Sequence, residues 1–291
     1  MLSQALQFLF TGVTVGAIYA LVALGFTLIY NSSHVINFAQ GEFVMIGGMA
    51  TVFLVGAGVP MPLAVAAAVA LSTLVGMALE KFAIEPAGRA SVVSLIIITI
   101  GASIFLRGLA QLVWDKKLHA MPPFTGDAPI AVAGATILPQ SLWVLGATVL
   151  LVLALRWFFA RTLLGKAMLA VANNRDAAQL VGIGVRRVQL ASFALSAALG
   201  AAAGILIAPI TLTAYDIGTM IGLKGFAAAI LGGLGSGPGA IVGGLALGIA
   251  EAMGAGYLSS AYKDAIAFVV ILLVLFFLPR GILGARGGER V

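Results

Sequence analysis

Apolar residues run through this chain in blocks too long for strands and without the two-residue alternation of a half-buried sheet. The blocks cover Leu6 to Tyr30, Phe38 to Val55, Pro60 to Leu79, Ser91 to Trp114, Leu142 to Phe159, Leu190 to Ile210, Gly218 to Leu231, Ala240 to Leu258 and Ala265 to Leu278. An α-helix needs about 20 such residues to cross a hydrocarbon layer about 30 Å thick. Backbone groups left unpaired in lipid are too costly for open sheets, so helices are the default. The predicted fold is all-α, a polytopic transmembrane helical bundle of about nine segments within a range of roughly eight to ten. The seventh block is too short to cross comfortably and runs into GSGPG (235–239), which predicts a broken or re-entrant helix there.

One stretch departs from this pattern. From Arg156 to Arg187 the chain is polar and arginine-rich, and within it stands DAAQLVG, Asp176 to Gly182. The positions Leu163, Ala167, Ala170, Val171, Ala177, Ala178 and Val181 approximate one apolar helical face, with Arg161, Lys166, Arg175 and Asp176 largely elsewhere. A short exposed helix with small apolar residues suits docking into a groove on a soluble protein. An amphipathic helix lying on anionic lipid is the competing reading.

Composition bears out the membrane setting, with 62% hydrophobic and 9% charged residues. The net charge of +6 follows topology and forms no single face, so the positive-inside rule accounts for it better than nucleic acid does. Lys81, Arg89, the Arg156 to Arg187 cluster, Arg280, Arg286 and Arg290 fall on one side, which puts the C-terminus in the cytoplasm and the N-terminus outside. Lys116, Lys117 and Lys263 fall on the other side. The first basic residue is Lys81, so the N-terminus lacks the basic flank of a cleaved signal, and the first helix is expected to stay.

The two halves echo each other. ALVALGFTLIY leads through a polar break into QGEFVMIGG (40–48), and ALSAALGAAAGILIAPI leads through TAYDIGT into KGFAAAILGG (224–233). Duplicated transporter halves place their pathway near such breaks. Candidate pathway or network residues are therefore Asn37, Gln40, Gly41 and Glu42 in the first half, and Lys224, Gly232, Gly233, Gly235 and Gly237 in the second. Glu42 and Glu251 lie within apolar blocks, where an ionised carboxylate needs a partner or water. Arg107 and Lys224 are the expected counter-charges. Two bland alternatives stand beside this: Glu42 capping a helix start near the aqueous edge, and Arg107 reaching outward toward Asp115. Glycines four apart at Gly12/Gly16, Gly200/Gly204, Gly239/Gly243 and Gly244/Gly248 predict close helix packing, more readily within one subunit than between two.

Catalysis finds no support. With no Cys and two His, thiolate chemistry and an all-protein zinc site are excluded, and no nucleophile has a base within reach. ARTLLGKA (160–167) lacks the first Gly and the final Ser/Thr of a phosphate-binding loop, so no nucleotide cofactor is expected on this chain.

The residues resemble a known family. DAAQLVG is similar to the Glu-Ala-Ala-x-x-x-Gly loop by which membrane permeases of ABC importers dock their ATPases, with Asp in place of Glu. ALVALGFTLIYNSSHVINFAQGEFVMIGG, GRASVVSLIIITIGASIFLRG, LLGKAMLAVANNRDAAQLVGI and KGFAAAILGGLGSGPGAIVGGLALGIAEA resemble the Liv-type high-affinity branched-chain amino-acid permeases, in particular the shorter, H-type subunit. The resemblance implies a single permease domain over residues 1–291 in a bacterial inner membrane, with a cytoplasmic coupling loop at about 160–187. It implies that Asp176, Ala177, Ala178 and Gly182 form the ATPase-docking helix. It further implies a second related permease, two ATPase subunits that use ATP, and a periplasmic substrate-binding protein. Relatives of similar sequence carry urea or amides. A self-sufficient carrier or channel is the alternative from another class, but it would have no use for DAAQLVG.

Overall fold

The computed structural model describes residues 2–88, 90–132, 134–278 and 280–284. Arg89, Arg286 and Arg290, three of the residues used above to orient the chain, lie outside the described residues. In order the elements are α1 (Leu2–Ser33), α2 (Gln40–Gly56), α3 (Met61–Leu79), α4 (Val92–Trp114), a hairpin of β1 (Ile130–Val132) and β2 (Ala135–Ile137), α5 (Pro139–Arg161), α6 (Leu163–Asn173), α7 (Arg175–Leu180), α8 (Val185–Thr211), α9 (Ile217–Gly232), α10 (Gly237–Tyr257) and α11 (Lys263–Phe277). A helix stands at each predicted block. Among the described residues, six helices are long and apolar enough to cross a membrane: α1, α3 with its π-helical extension to Ile84, α4, α5, α8 and α10. The helices α2, α9 and α11 have only 17, 16 and 15 residues.

Local chemistry sets many of the boundaries. Ser91, Thr162, Asn174 and Ser236 accept the first free N–H groups of α4, α6, α7 and α10. Prolines stand in the first turns of α3, α5 and α10, where a missing donor costs nothing.

The centre of the bundle is α1, a helix of 32 residues and about 48 Å at 1.5 Å per residue. Its middle, from Gly16 to Ile29, is buried throughout. It runs antiparallel to α10: Gly12 lies against Ile249, Gly16 against Gly244 and Leu245, and Asn31 Nδ2 donates to Gly235 O at 2.9 Å. The helices α2 and α8 cross as closely, with Gly200 on Phe43 and Gly204 on Val44. All four glycine pairs read from the sequence therefore pack inside the chain. Lipid tails are as apolar as Leu, so what holds these helices is dispersion between backbones that small residues let approach.

Two helices begin inside the bundle. Gln40 opens α2 beside Gly25, some eight residues and about 12 Å before the end of α1. Gly41 is packed against Gly218 and Gly222 in the first turns of α9. From this shared origin α2 runs toward the N-terminal end of α1, where Gly48 meets Thr213 and Phe53 meets His119. The helix α9 runs the other way, to Gly232 packed on Gly239. A broken element at the seventh block was predicted; that the second block is also a short helix starting inside the bundle was not.

Candidate functional site

The basic stretch forms two helices, and this corrects the single apolar face predicted for it. Asn174 is extended (φ −156°, ψ 107°), so α6 stops there and α7 starts in a new direction, with Asn174 Oδ1 accepting the Ala177 N–H at 2.9 Å. The residues turned inward are Met168, Val171 and Ala178. Of the positions predicted on one apolar face, Ala177 and Val181 are exposed because the break at Asn174 turns α7 against α6, and Leu163 is exposed at the first position of α6.

The end of α7 is closed by two backbone bonds, Gly182 N–H to Gln179 O and Ile183 N–H to Ala178 O, each 3.0 Å. This is the double closure that needs a left-handed residue, and Gly182 has φ +86°. Ala178 anchors the helix inward. Asp176, Ala177, Gln179, Leu180 (89% exposed), Val181 (76% exposed) and Gly182 all face outward. Two exposed branched apolar residues, Leu180 and Val181, thus stand close in sequence to the exposed Asp176 carboxylate.

Beside α7 lies a cleft of about 1290 Å³ between the α3–α4 link and the start of α8, lined among others by Lys81, Glu85, Gln179, Gly182 and Arg186. Glu85 ties its two walls, receiving Lys81 Nζ at 2.8 Å and Arg186 Nη1 at 3.2 Å. The hydrogen bond from Lys81, helped by the charges of Lys81 and Arg186, holds the Glu85 carboxyl below its usual range. This cleft and α7 share the end of the bundle where α1 finishes.

The buried polar residues form separate clusters. In the first, Glu42 is 1% exposed and accepts the Ser103 hydroxyl at 2.7 Å, with Arg107 Nε 3.5 Å away. Glu42 does sit in the first turn of α2, but that turn is buried against α9 and not at an aqueous edge. Arg107 pairs with Glu42, while Asp115 accepts from the Lys117 N–H at 2.7 Å and lies 3.0 Å from His119 Nε2. The neighbouring Gln40 is locked to α8: its Nε2 donates to Ser196 O at 3.1 Å, and the Ser196 hydroxyl lies 2.6 Å from Gln40 Oε1 and 2.8 Å from Gly25 O. Asn37 Oδ1 accepts the Ala39 N–H at 3.1 Å and turns the link into α2.

In the second cluster Glu251 of α10 is 1% exposed and Lys224 of α9 is 5% exposed. Lys224 Nζ lies 2.9 Å from Glu251 Oε1 and 2.6 Å from Asp264 Oδ1. Tyr19 donates its hydroxyl to Glu251 Oε2 at 2.9 Å, and Lys263 Nζ is 3.4 Å from Oε1. Sequence reasoning found Glu251 and Lys224 because ionisable groups stand out in apolar blocks. It missed Tyr19, which looks like one more aromatic in an apolar helix, and Asp264 and Lys263, which look like charges at a segment end.

The glycine-rich link between α9 and α10 forms a third feature. Gly233 (φ +103°) and Gly235 (φ +96°) take left-handed backbone, and Ile282 and Leu283 donate their N–H groups to Leu231 O and Gly232 O at 2.8 and 2.9 Å. Gly232 meets Gly239 across the link, and Gly237 opens α10. These glycines shape and close a helix end.

Comparison with known proteins follows the same lines. The family profile described as the permease component of branched-chain amino acid transport systems matches residues 8–275. The high-affinity branched-chain amino acid transport system permease protein LivH of Escherichia coli K12 is 38% identical over 98% of this chain and 97% of its own length. The corresponding permease protein BraD of Pseudomonas aeruginosa is 37% identical over 98% of each chain. The ribose import permease protein RbsC of Escherichia coli K12 is 28% identical, over 89% of this chain and 81% of its own. Among solved structures, PsaBC from Streptococcus pneumoniae in complex with Fab shares the fold at a TM-score of 0.53, covering 96% of this chain and 97% of that one at 14% identity.

Proposed function

This chain belongs to the family of branched-chain amino acid permease components, and from that premise we propose how it works within its transporter. It is the membrane-spanning permease subunit of an ABC importer of branched-chain amino acids, a multi-pass inner-membrane protein and not an enzyme. It acts with other subunits. In the assembly we infer, a second, related permease completes the membrane part, two cytoplasmic ATPases bind and hydrolyse the ATP, and a periplasmic binding protein delivers the amino acid.

The observation that carries this reading is α7. Its exposed residues Asp176, Ala177 and Gly182, anchored by the buried Ala178 and set beside a large charged cleft, suit a helix held out to an ATPase. The end that bears it also carries Lys81, Arg175, Arg186 and Arg187. That concentration supports a cytoplasmic position for this end, hence a periplasmic N-terminus and a cytoplasmic C-terminus.

The packing supports duplicated, inverted halves. The helix α2 packs on α8 as α9 packs on α1, and α3 packs on α8 as α10 packs on α1. The axis relating them passes by Gly41 and Gly218, each of which meets the other's backbone. In this reading Asn37, Gln40, Gly41 and Glu42 line or support the pathway at the shared origin of α2 and α9. The Lys224–Glu251 pair and the glycines from Gly232 to Gly237 brace α9 alongside it.

Gly182→Trp tests the docking role. The substitution strains a left-handed position and places an indole on the outward face, where no neighbour within 4 Å would hide it. In proteoliposomes containing the assembled importer and the binding protein, leucine uptake is expected to fall at least tenfold. Binding of the purified ATPases should weaken in parallel, while the permease itself still folds. Leucine uptake by the chain alone, without ATPase or nucleotide, would overturn the importer reading.

A further inference from the structure

Asp216 carries a carboxylate that the fold leaves unused. It stands at the N-terminal cap of α9 but makes no capping hydrogen bond, and among the described residues it forms no ion pair. It is exposed. Yet it lies deep along the bundle, between Thr213, level with Gly48 of α2, and Gly218, packed on Gly41. An ionised carboxylate at the level of the apolar helix α2 cannot face hydrocarbon tails, so it faces water or a polar group.

The surroundings of Asp216 are specific. Tyr215 and Ile217, the residues on either side of Asp216, pack on the apolar cluster that holds Ala110, one helical turn beyond Arg107 on α4. Arg107 turns Nε toward Glu42 Oε1 at 3.5 Å, its side chain is 30% exposed, and its terminal nitrogens form no hydrogen bond or ion pair among the described residues. Glu42 Oε2 and Thr219 Oγ1 are buried with no partner. Ile217 and Tyr215 pack beside these groups against Met45, Met49 and Ala110. An acid with no ion pair among the described residues, a guanidinium with unpaired terminal nitrogens and an apolar pad thus lie in one neighbourhood, together with unsatisfied buried oxygens.

We propose that Asp216 and Arg107 form a contact site within the membrane for the zwitterionic head of the translocated amino acid. Asp216 receives its ammonium group, Arg107 receives its carboxylate, and the apolar side chain rests on Ile217 and Tyr215. The assignment rests on the importer function argued above and adds the recognition chemistry inside the permease. Arg107 matches a carboxylate through paired donors. The start of α9 adds a positive pole on the same face.

The chain has no cysteine, so a thiol placed at Asp216 is unique in it. Asp216→Cys, in the assembled importer in proteoliposomes with the binding protein present, is treated with two water-soluble methanethiosulfonates, one bearing a sulfonate and one a trimethylammonium group. Both should label this chain, whereas Leu112→Cys, on the strongly exposed apolar face of α4, should remain unlabelled. The untreated variant should import leucine about tenfold more slowly than wild type, the factor expected for one lost charged contact. The sulfonate should restore a large part of the flux and the trimethylammonium should abolish what remains. No labelling at Asp216→Cys, or equal effects of the two charges, overturns the site. Failure of the wild-type importer to move leucine overturns the function reading instead, and is seen before any thiol is introduced.

Discussion

Lys224→Met is expected to destabilise the protein by roughly 3–5 kcal/mol, the cost of leaving a buried charge without its partner. The loss falls on Glu251. Asp264 is the other acid on Lys224, but its side chain is 57% exposed and water can take over. Glu251 keeps only the Tyr19 hydroxyl and the half-exposed Lys263, whose Nζ is 3.4 Å away. Lys224→Met combined with Glu251→Leu should recover most of the loss, because an apolar pair of similar volume does not need the ions' hydration back. The Tyr19 hydroxyl then stays unpaired, at about 1–3 kcal/mol. Thermal unfolding of the purified chain in detergent reads all four corners of this cycle. A single variant as stable as wild type would mean that the pair is hydrated and the burial argument fails.

Gly204→Leu should prevent the folded chain from accumulating at all. A Cβ at this position overlaps the Val44 carbonyl, so the clash is with backbone and cannot be relieved by a rotamer change. The cost is expected at or above the upper end of ordinary overpacking, about 3 kcal/mol. It is imposed where α2 and α8 hold the centre of the bundle. Gly101→Leu is the control: Gly101 lies on an exposed face of α4 with nothing within 4 Å, and there Leu should be neutral or slightly stabilising. Fluorescence-detected size exclusion of tagged chains compares them directly, and a symmetric wild-type-like peak for Gly204→Leu would sink the close-packing account.

These residues also show how far the sequence could be read. Continuous apolar length made the helix at each apolar block legible, and an ionisable group in such a block announced a partner, so Glu251 and Lys224 could be found together. The resemblance across nearly the whole chain made the family legible too. Depth was not legible. The block beginning at Phe38 is as apolar as its neighbours, and only the packing of Gly41 on Gly218 makes α2 start inside the bundle. Asp216 was passed over for the same reason: in sequence it is an acid in a polar link, and its meaning comes from how far that link descends. The break at Asn174 was hidden because the apolar period survives it approximately, while one extended residue turns the second helix away.

The helix α9 is held at both ends by main chain contributed from elsewhere: the Gly41 backbone at its start, and the N–H groups of Ile282 and Leu283 at its close. Its two ends are thus placed by backbone, while along its length Lys224 ties it to Glu251 of α10. A helix pinned in this way can change the acid or the threonine at its head, or the lysine together with Glu251, without being re-sited, and one scaffold can then be adapted to solutes of different polarity.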